Sequence, residues 1–416
     1  MLRGAALKTA EIVSIGTELL MGQIVDSNAQ YLGQTLPSVG IAHLHRQTVG
    51  DNRGRIVEAL KLALSRADIV FTIGGLGPTD DDITRAAIAD ALDDVLVVDP
   101  DYVVTLRELF ALRKISWTAK QDRQASHPSC GQLIANPNGT APGIRCEKNG
   151  RVLISLPGPP GEFRPMIEAL KPYLTELGGG DILVSRLLRV IGMGESAVET
   201  ALGSIVDGSN PTVAPYAKLG EVHLRVTALA QSAAEANTLI DPVEAQIRAI
   251  LGTHVYGTDA TSIEATIVAL LAARKQSLAV AESMTGGGLG QRLTSVSGSS
   301  AVFLGGVIAY TADVKQALLG VAAETLATFG PVSAETAREM ALGIQQRLGS
   351  DFALSVTGNA GPNVDSDGKP VGLGYIGFTT PDGVHVEPFQ FKSLREDNRY
   401  RAGQMALAIL YRHLAG

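Results

Sequence analysis

The stretch "DIVFTIGGLGPTDDDIT", residues 68–84, decides how the chain is read. Ile69, Val70, Phe71 and Ile73 make a near-continuous apolar run, the signature of a strand buried on both faces. Gly74, Gly75 and Gly77 follow, where the backbone can bend and approach a neighbour closely. Asp80, Asp81 and Asp82 then lead into the helical pattern "DDITRAAIADAL" (81–92). Strand, glycine turn and helix start form half of a β–α–β unit, and the free N–H groups of a helix start favour an anion. Three adjacent carboxylates would repel a phosphate unless a divalent cation lay between them, and such oxygen ligands suit Mg²⁺ or a related ion. The competing reading makes Asp80 or Asp81 a helix cap, with the other carboxylates favouring the helix dipole.

Working outward, strand-like runs at 10–16, 42–50 and 68–75 alternate with helical patterns near 26–36, at 53–67 and at 81–92. Two further strand-like runs, 131–137 and 151–158, complete a unit ending near residue 172. This alternation predicts a mostly parallel sheet with helices on both faces. In such a sheet the carboxyl ends of the strands line one crevice. Thr17 and Glu18 follow the first strand, with Asp26 and Asn28 close behind, and Asp51 and Asn52 follow the second. The Pro/Gly turns "NPNGTAPG" (136–143) and "LPGPPGE" (156–162) are expected to rim the crevice. Residues 180–256 differ: strands at 182–192 and 221–230, with helices near 195–206 and 233–251, predict a small α+β module. From residue 262 the α/β alternation returns.

A second strand-to-glycine junction lies in that last region, "SLAVAESMTGGG" (277–288). It reads both as a phosphate cradle and as a turn that presents a serine. A serine is a weak nucleophile without a base. The usual base is histidine, but this region holds only His385, in a strand-like alternation, and His413, near the C-terminus. The next strand, 301–310, ends at Tyr310, and Lys315 falls a turn or two later. Parallel pairing would set this end beside Ser283. Burial or a neighbouring cation lowers a lysine pKa enough for it to accept a proton. The competing reading is a surface lysine and a core-edge tyrosine. The turn "SVTGNAGPN" (355–363) offers backbone N–H groups for an oxyanion or a phosphate. Arg395, Arg399 and Arg401 are candidate phosphate forks.

These motifs resemble known families. "GTELLMGQIVDSN" (16–28), "GDN" (50–52), "GGLGPTDDDIT" (74–84), "NGTAPG" (138–143) and "LPGPPGE" (156–162) resemble the molybdopterin-binding fold in its competence/damage-inducible protein A (CinA) version, over residues 8–172. The resemblance implies a metal-dependent ADP-ribose pyrophosphatase using Mg²⁺, Mn²⁺ or Co²⁺. Asp82 and Asp51 would attend the metal, with Glu18 as a possible base. Thr17, Glu18, Asn28, Asp51, Asn52, Gly74, Gly75, Gly77, Thr79, Thr84, Gly139, Pro157 and Gly158 would contact substrate. Residues 180–256 resemble the KH-like domain of the same family on "GMGES" (192–196), "APYAKLGEVHLRVTA" (214–228) and "VYGTD" (255–259). A nucleic-acid-reading KH domain uses a basic GXXG loop. None occurs here, so a spacer or dimerisation role is expected.

"AESMTGG" (281–287), "GGVIAYTADVK" (305–315), "GPVSAETAREMALG" (330–343), "TGNAGP" (357–362), "KPVGLGYIG" (369–377) and "REDNRYR" (395–401) are similar to the nicotinamide mononucleotide deamidase domain, over 262–414. That resemblance implies hydrolysis of the carboxamide to nicotinate mononucleotide and ammonia, without a cofactor. Ser283, Tyr310 and Lys315 fall on the family's catalytic residues. Glu282, Thr285, Gly286, Gly287, Thr357, Gly358, Gly361 and Arg399 are the implied substrate contacts. Ala312 stands where the family commonly has Asn, and the 359–369 loop lacks its usual glycine pair.

The expected organisation is therefore a pyrophosphatase-like domain at 1–174, a KH-like module at 175–258 and a deamidase-like domain at 259–416. The length of 416 residues supports several cores. A net charge of −7 argues against a nucleic-acid partner. Cys130 and Cys146 are the only cysteines, which reads as a reducing cytoplasm. No signal peptide is read at the N-terminus and no apolar run approaches a membrane span. The resemblance implies a homodimer. Two other readings stay open at this level: a molybdopterin-binding protein, and a non-catalytic partner in DNA uptake or recombination.

Overall fold

The computed structural model describes residues 7–114, 116–117, 119–364, 368–381 and 383–416. Residues 365–367 of the 359–369 loop lie outside the described residues. The chain is an α/β protein forming two compact units, one up to Val184 with Ala228–Thr238, the other Ser185–Thr227 with Leu239–Gly416.

The first unit is built on a six-stranded sheet. Its order is Ile41–Val49, Lys8–Ile15, Ile69–Ile73, Arg151–Leu156, Gly143–Lys148, Gly131–Ile134. The first four strands run parallel; Gly143–Lys148 is antiparallel to both its neighbours, so Gly131–Ile134 again runs with the first four. Alternate residues of the central strands feed two cores. Ile12, Phe71 and Ile154, in register across three strands, face Leu32 and Phe163. Val13, Val70 and Leu153 face Ile56, Leu60 and Ile88 on the other side. Because both faces are covered, these strands read as continuous apolar runs.

Residues 182–258 carry a four-stranded sheet ordered Thr212–Lys218, Glu221–Ala230, Ile182–Ile191, Val255–Thr258, with helices Glu195–Leu202 and Ala233–Leu251.

In the C-terminal region a five-stranded sheet runs Phe303–Ile308, Leu278–Glu282, Phe352–Gly358, Leu373–Thr380, Gly383–Gln390. The first three strands are parallel, as the serine–lysine argument requires, and the last two form an antiparallel meander. Helices Ile263–Arg274 and Arg395–Ala415 pack on one face. Helices Ala312–Leu319 and Ala334–Leu348 pack on the other through Leu319, Met340 and Ile344.

Several elements differ from expectation. The helix after the glycine loop starts at Thr84, not at Asp81, and its N-cap, Ile83, makes no side-chain bond, so neither Asp80 nor Asp81 caps it. The helix Pro100–Leu112 has a clear start that the reading passed over: Asp99 accepts from the backbone N–H groups of Asp101 and Tyr102, and Pro100 occupies the first turn. The strand Gly143–Lys148 and the short helices Gly288–Thr294 and Ala323–Phe329 were also not anticipated. Among the described residues, no helix is long and apolar enough to cross a membrane.

Candidate functional site

Two cavities gather the polar residues that the motifs single out. The C-terminal one is small, about 200 Å³, and is lined by Ser283, Met284, Tyr310, Lys315, Pro331, Val332, Thr357, Gly358, Asn359, Ala360 and Arg395. The pairing of Glu282 with Ile308 brings the two strand ends together. The helix Ala312–Leu319, capped by Thr311, then carries Lys315 back under the turn. Lys315 is 1% exposed, and its Nζ lies 2.9 Å from Ser283 Oγ. Its other neighbours are the carbonyl oxygens of Ala309 at 2.8 Å and Tyr310 at 3.4 Å. No carboxylate pairs with it among the described residues. Burial therefore pushes its pKa down to about 8. Carbonyls only accept. In the neutral amine the two N–H groups serve the two carbonyls, and the lone pair is left for Ser283 Oγ–H.

The remaining residues of the set divide into those that line the cavity and those that hold its wall. Tyr310 lines it but is 57% exposed, and its hydroxyl accepts from Arg395 Nη2 at 3.0 Å rather than bonding Ser283 or Lys315. Thr357 donates to Pro331 O at 2.6 Å, and Gly361 N–H donates to Asn359 Oδ1 at 2.8 Å. Glu282 is a structural anion. Its carboxylate accepts from the N–H groups of Gly287 and Leu289 at 3.0 Å and of Gly290 at 2.9 Å. The anion at this helix start is thus the protein's own, and it takes N–H groups that a phosphate cradle would use. Arg399 does not line the cavity. It donates to Met284 O at 3.0 Å and Thr285 O at 2.9 Å, clamping the turn from behind. Gly286, at φ +61°, sits against that guanidinium, and Gly287 is also left-handed, so the glycines serve the turn's geometry. Thr285 is buried in the turn, and its hydroxyl makes no hydrogen bond. His385 and His413 border a different depression. Arg395 is the cavity arginine. Its place at the start of the last helix is legible in sequence, but the choice among three nearby arginines is not.

The N-terminal cavity is larger, about 590 Å³, and lies at the carboxyl ends of the parallel strands. Glu18, Asn28, Asp51, Gly74, Gly75, Gly77, Asp82, Pro157 and Gly158 line it, together with Asp26, Asp81, Gln124 and Glu162. Thr17, Asn52, Thr79, Thr84 and Gly139 do not line it. Thr17 fixes Asp51, donating to its Oδ2 from both N and Oγ1 at 2.8 Å. Asn52 caps the helix Arg53–Arg66 through Arg55 N–H at 3.1 Å. Thr79 donates to Asp82 from its backbone N at 2.9 Å and from its hydroxyl. Thr84 Oγ1 donates to Gly74 O at 3.0 Å, and a Cβ on Gly75 would fall 2.1 Å from that hydroxyl oxygen. Gly139 similarly leaves room for Glu162, whose carboxylate a Cβ there would meet at 2.0 Å. Intramolecular packing thus explains these two glycines as fully as ligand approach does.

No group of three His, Cys, Asp or Glu side chains could hold a metal among the described residues. Asp51 and Asp82 each engage one carboxylate oxygen, Oδ2, and keep Oδ1 for another partner. That donor set fits an Mg²⁺-type ion, which takes one or two carboxylates and completes its shell with ligand phosphates and water.

Comparison with known proteins places these features in a lineage. The chain is 48% identical over 377 residues to a CinA-like protein of Synechococcus sp., covering 90% of each chain. It is 44% identical over 407 residues to a competence-damage inducible protein of Moorella thermoacetica, covering 97% of this chain and 98% of that one. The chain belongs to the CinA family. Three family models divide it: "Probable molybdopterin binding domain" over 11–176, "Damage-inducible protein CinA KH domain" over 185–257 and "CinA C-terminal domain" over 260–414. A solved CinA chain from Thermoplasma acidophilum is 32% identical, spanning 40% of this chain and 99% of that one at TM-score 0.38.

Proposed function

We propose that this CinA-family protein is a two-site hydrolase of pyridine nucleotides. Its C-terminal site would deamidate nicotinamide mononucleotide, and its N-terminal site would split ADP-ribose into AMP and ribose 5-phosphate. The observation that carries the reading is the buried Lys315 amine, without a carboxylate partner among the described residues, 2.9 Å from Ser283 Oγ.

At the C-terminal site, Lys315 accepts the Ser283 proton as Oγ bonds to the carboxamide carbon. The C–N bond breaks as Lys315 returns that proton to the departing nitrogen, releasing ammonia. Water then adds to the acyl carbon as Lys315 takes its proton, the bond from that carbon to Ser283 Oγ breaks, Lys315 returns the proton to Oγ, and nicotinate mononucleotide leaves. A variant route has Ser283 orient a water that attacks directly. The N–H groups of Gly286, Asn359 and Gly361 are used internally. Those of Met284 and Ala360, both cavity residues, have no partner among the described residues and are the oxyanion donors we favour. Arg395 faces the same cavity and suits the substrate phosphate.

At the N-terminal site Asp51 and Asp82 would hold a divalent ion, whose positive charge offsets the phosphoanhydride oxygens when bound. Glu18 is the candidate base for the attacking water. The matched molybdopterin-binding model makes a pterin phosphate the competing occupant. Incubating purified protein with nicotinamide mononucleotide and with ADP-ribose, with and without divalent metal, tests the proposal. Ammonia from the first and AMP from the second are expected. Titration that finds tight molybdopterin binding and no AMP would favour the competing ligand.

A further inference from the structure

The turn that presents Ser283 is braced at both ends by its own backbone and by Glu282. Ser283 N–H donates to Val356 O at 2.9 Å across the sheet. Gly286 N–H donates to Ser283 O at 3.0 Å, which closes a β-turn over residues 283–286. Beyond it, the Glu282 carboxylate holds the N–H groups of Gly287, Leu289 and Gly290. The middle peptide of a β-turn, here Met284–Thr285, is not held by the closing bond, and its orientation distinguishes one turn type from another.

Arg399 supplies a bond to that peptide. Its Nε donates to Met284 O, the oxygen of the middle peptide, at 3.0 Å, and its Nη2 donates to Thr285 O at 2.9 Å. The side chain is half-buried and does not line the cavity. Charge-assisted bonds of this kind are stronger than those between neutral groups. Two arms reaching two successive carbonyls is a geometry that a planar guanidinium has and an ammonium lacks. One residue earlier on the same helix, Asn398 Nδ2 donates to Ala360 O at 3.2 Å. The start of this helix therefore braces both turns that carry the oxyanion donors favoured above.

Met284 lies between two peptide planes. Gly286 fixes the plane before it and Arg399 the plane after it, so the direction of the Met284 N–H depends on both. We infer that Arg399 is a positioning residue for deamidation: by holding Met284 O and Thr285 O it aims the Met284 N–H at the carboxamide oxygen as that oxygen becomes charged. The inference rests on the proposed deamidase reading, and it replaces the substrate contact that the resemblance implies for Arg399. An oxyanion donor acts on charge that develops only in the transition state, so its misplacement lowers kcat. Loss of a phosphate-binding arginine would instead raise KM.

Steady-state kinetics of ammonia release from nicotinamide mononucleotide test it, with calorimetric binding of nicotinate mononucleotide showing that the site is still folded. Arg399→Met should lower kcat by about 10²-fold, with KM and product affinity little changed. Arg399→Lys keeps the charge but not the fork; it should lower kcat by about tenfold and covers the case in which the methionine variant does not fold. The inference is overturned by an unchanged kcat in either folded variant, or by a rise in KM that accounts for the loss of kcat/KM. An unaltered protein that releases no ammonia refutes the deamidase reading itself, and the inference falls with it.

Discussion

The two cavities of this chain stand at opposite degrees of readiness. In the C-terminal one the reacting groups already touch. Ser283 and Lys315 are in hydrogen-bond contact, and burial alone has moved the amine toward a base. In the N-terminal one Asp51 and Asp82 are each held by a threonine through one carboxylate oxygen, and three-residue metal clusters are absent among the described residues. A small preassembled site needs only its substrate. A larger site whose two threonine-held carboxylates each keep an oxygen to offer is completed by what binds to it. The difference teaches how to separate the two: perturb the pair in one case and the ligand shell in the other.

The largest expected effect is on the preassembled pair. Ser283→Ala should lower ammonia release from nicotinamide mononucleotide by about 10³-fold or more, with AMP formation from ADP-ribose unaltered. Parallel loss at both sites in a folded variant would dissolve the contrast. Next comes the ligand-completed site. Asp82→Asn, or chelation, should reduce AMP formation by about 10²-fold and leave ammonia release untouched. Full turnover in chelator would remove the metal from the account.

A smaller, graded effect comes from pH. Protonated Lys315 cannot accept the serine proton, so deamidation should fall about tenfold per pH unit below about 8 and level off above it. The sign for stability follows from the same shift. Lys315 has its pKa lowered from 10.5 to about 8 on folding. Between those values the unfolded chain holds a proton that the folded chain does not, so stability rises with pH across the window. Lys315→Met should erase that slope in denaturant titrations at stepped pH. The smallest effect on chemistry is expected from Glu282→Gln. It should cost about 2 kcal/mol in denaturant unfolding, because charge-assisted bonds to three N–H groups are weakened. An unchanged midpoint would return Glu282 to the list of ligand contacts.

Much of this was legible in the chain, and what was not has physical causes. The parallel central strands were readable because burial on both faces makes Ile69–Ile73 and Leu278–Glu282 near-continuous apolar runs, broken only by Thr72 and by the closing Glu282. Strand adjacency set the Lys315 segment beside Ser283 but left a surface lysine equally open; the family resemblance singled out the pair, and the structure brings the two side chains into contact. The antiparallel strand Gly143–Lys148 was missed because half-polar "GIRCEK" carries no such run. Glu282 and Arg399 hold the turn's own backbone, a role that sequence does not separate from ligand contact because a carboxylate or guanidinium beside a glycine turn looks the same in both cases.

The central claim is that burial makes Lys315 the base for Ser283, and one comparison tests it most directly. Ammonia release from nicotinamide mononucleotide should be measured at pH 9 for the unaltered protein, Lys315→Met and Lys315→Arg, with AMP formation from ADP-ribose as the folding control. The account predicts rapid release by the unaltered protein and none above background by either variant, since neither side chain can accept a proton at that pH, while AMP formation persists. Ammonia release at the unaltered rate by Lys315→Met would contradict it.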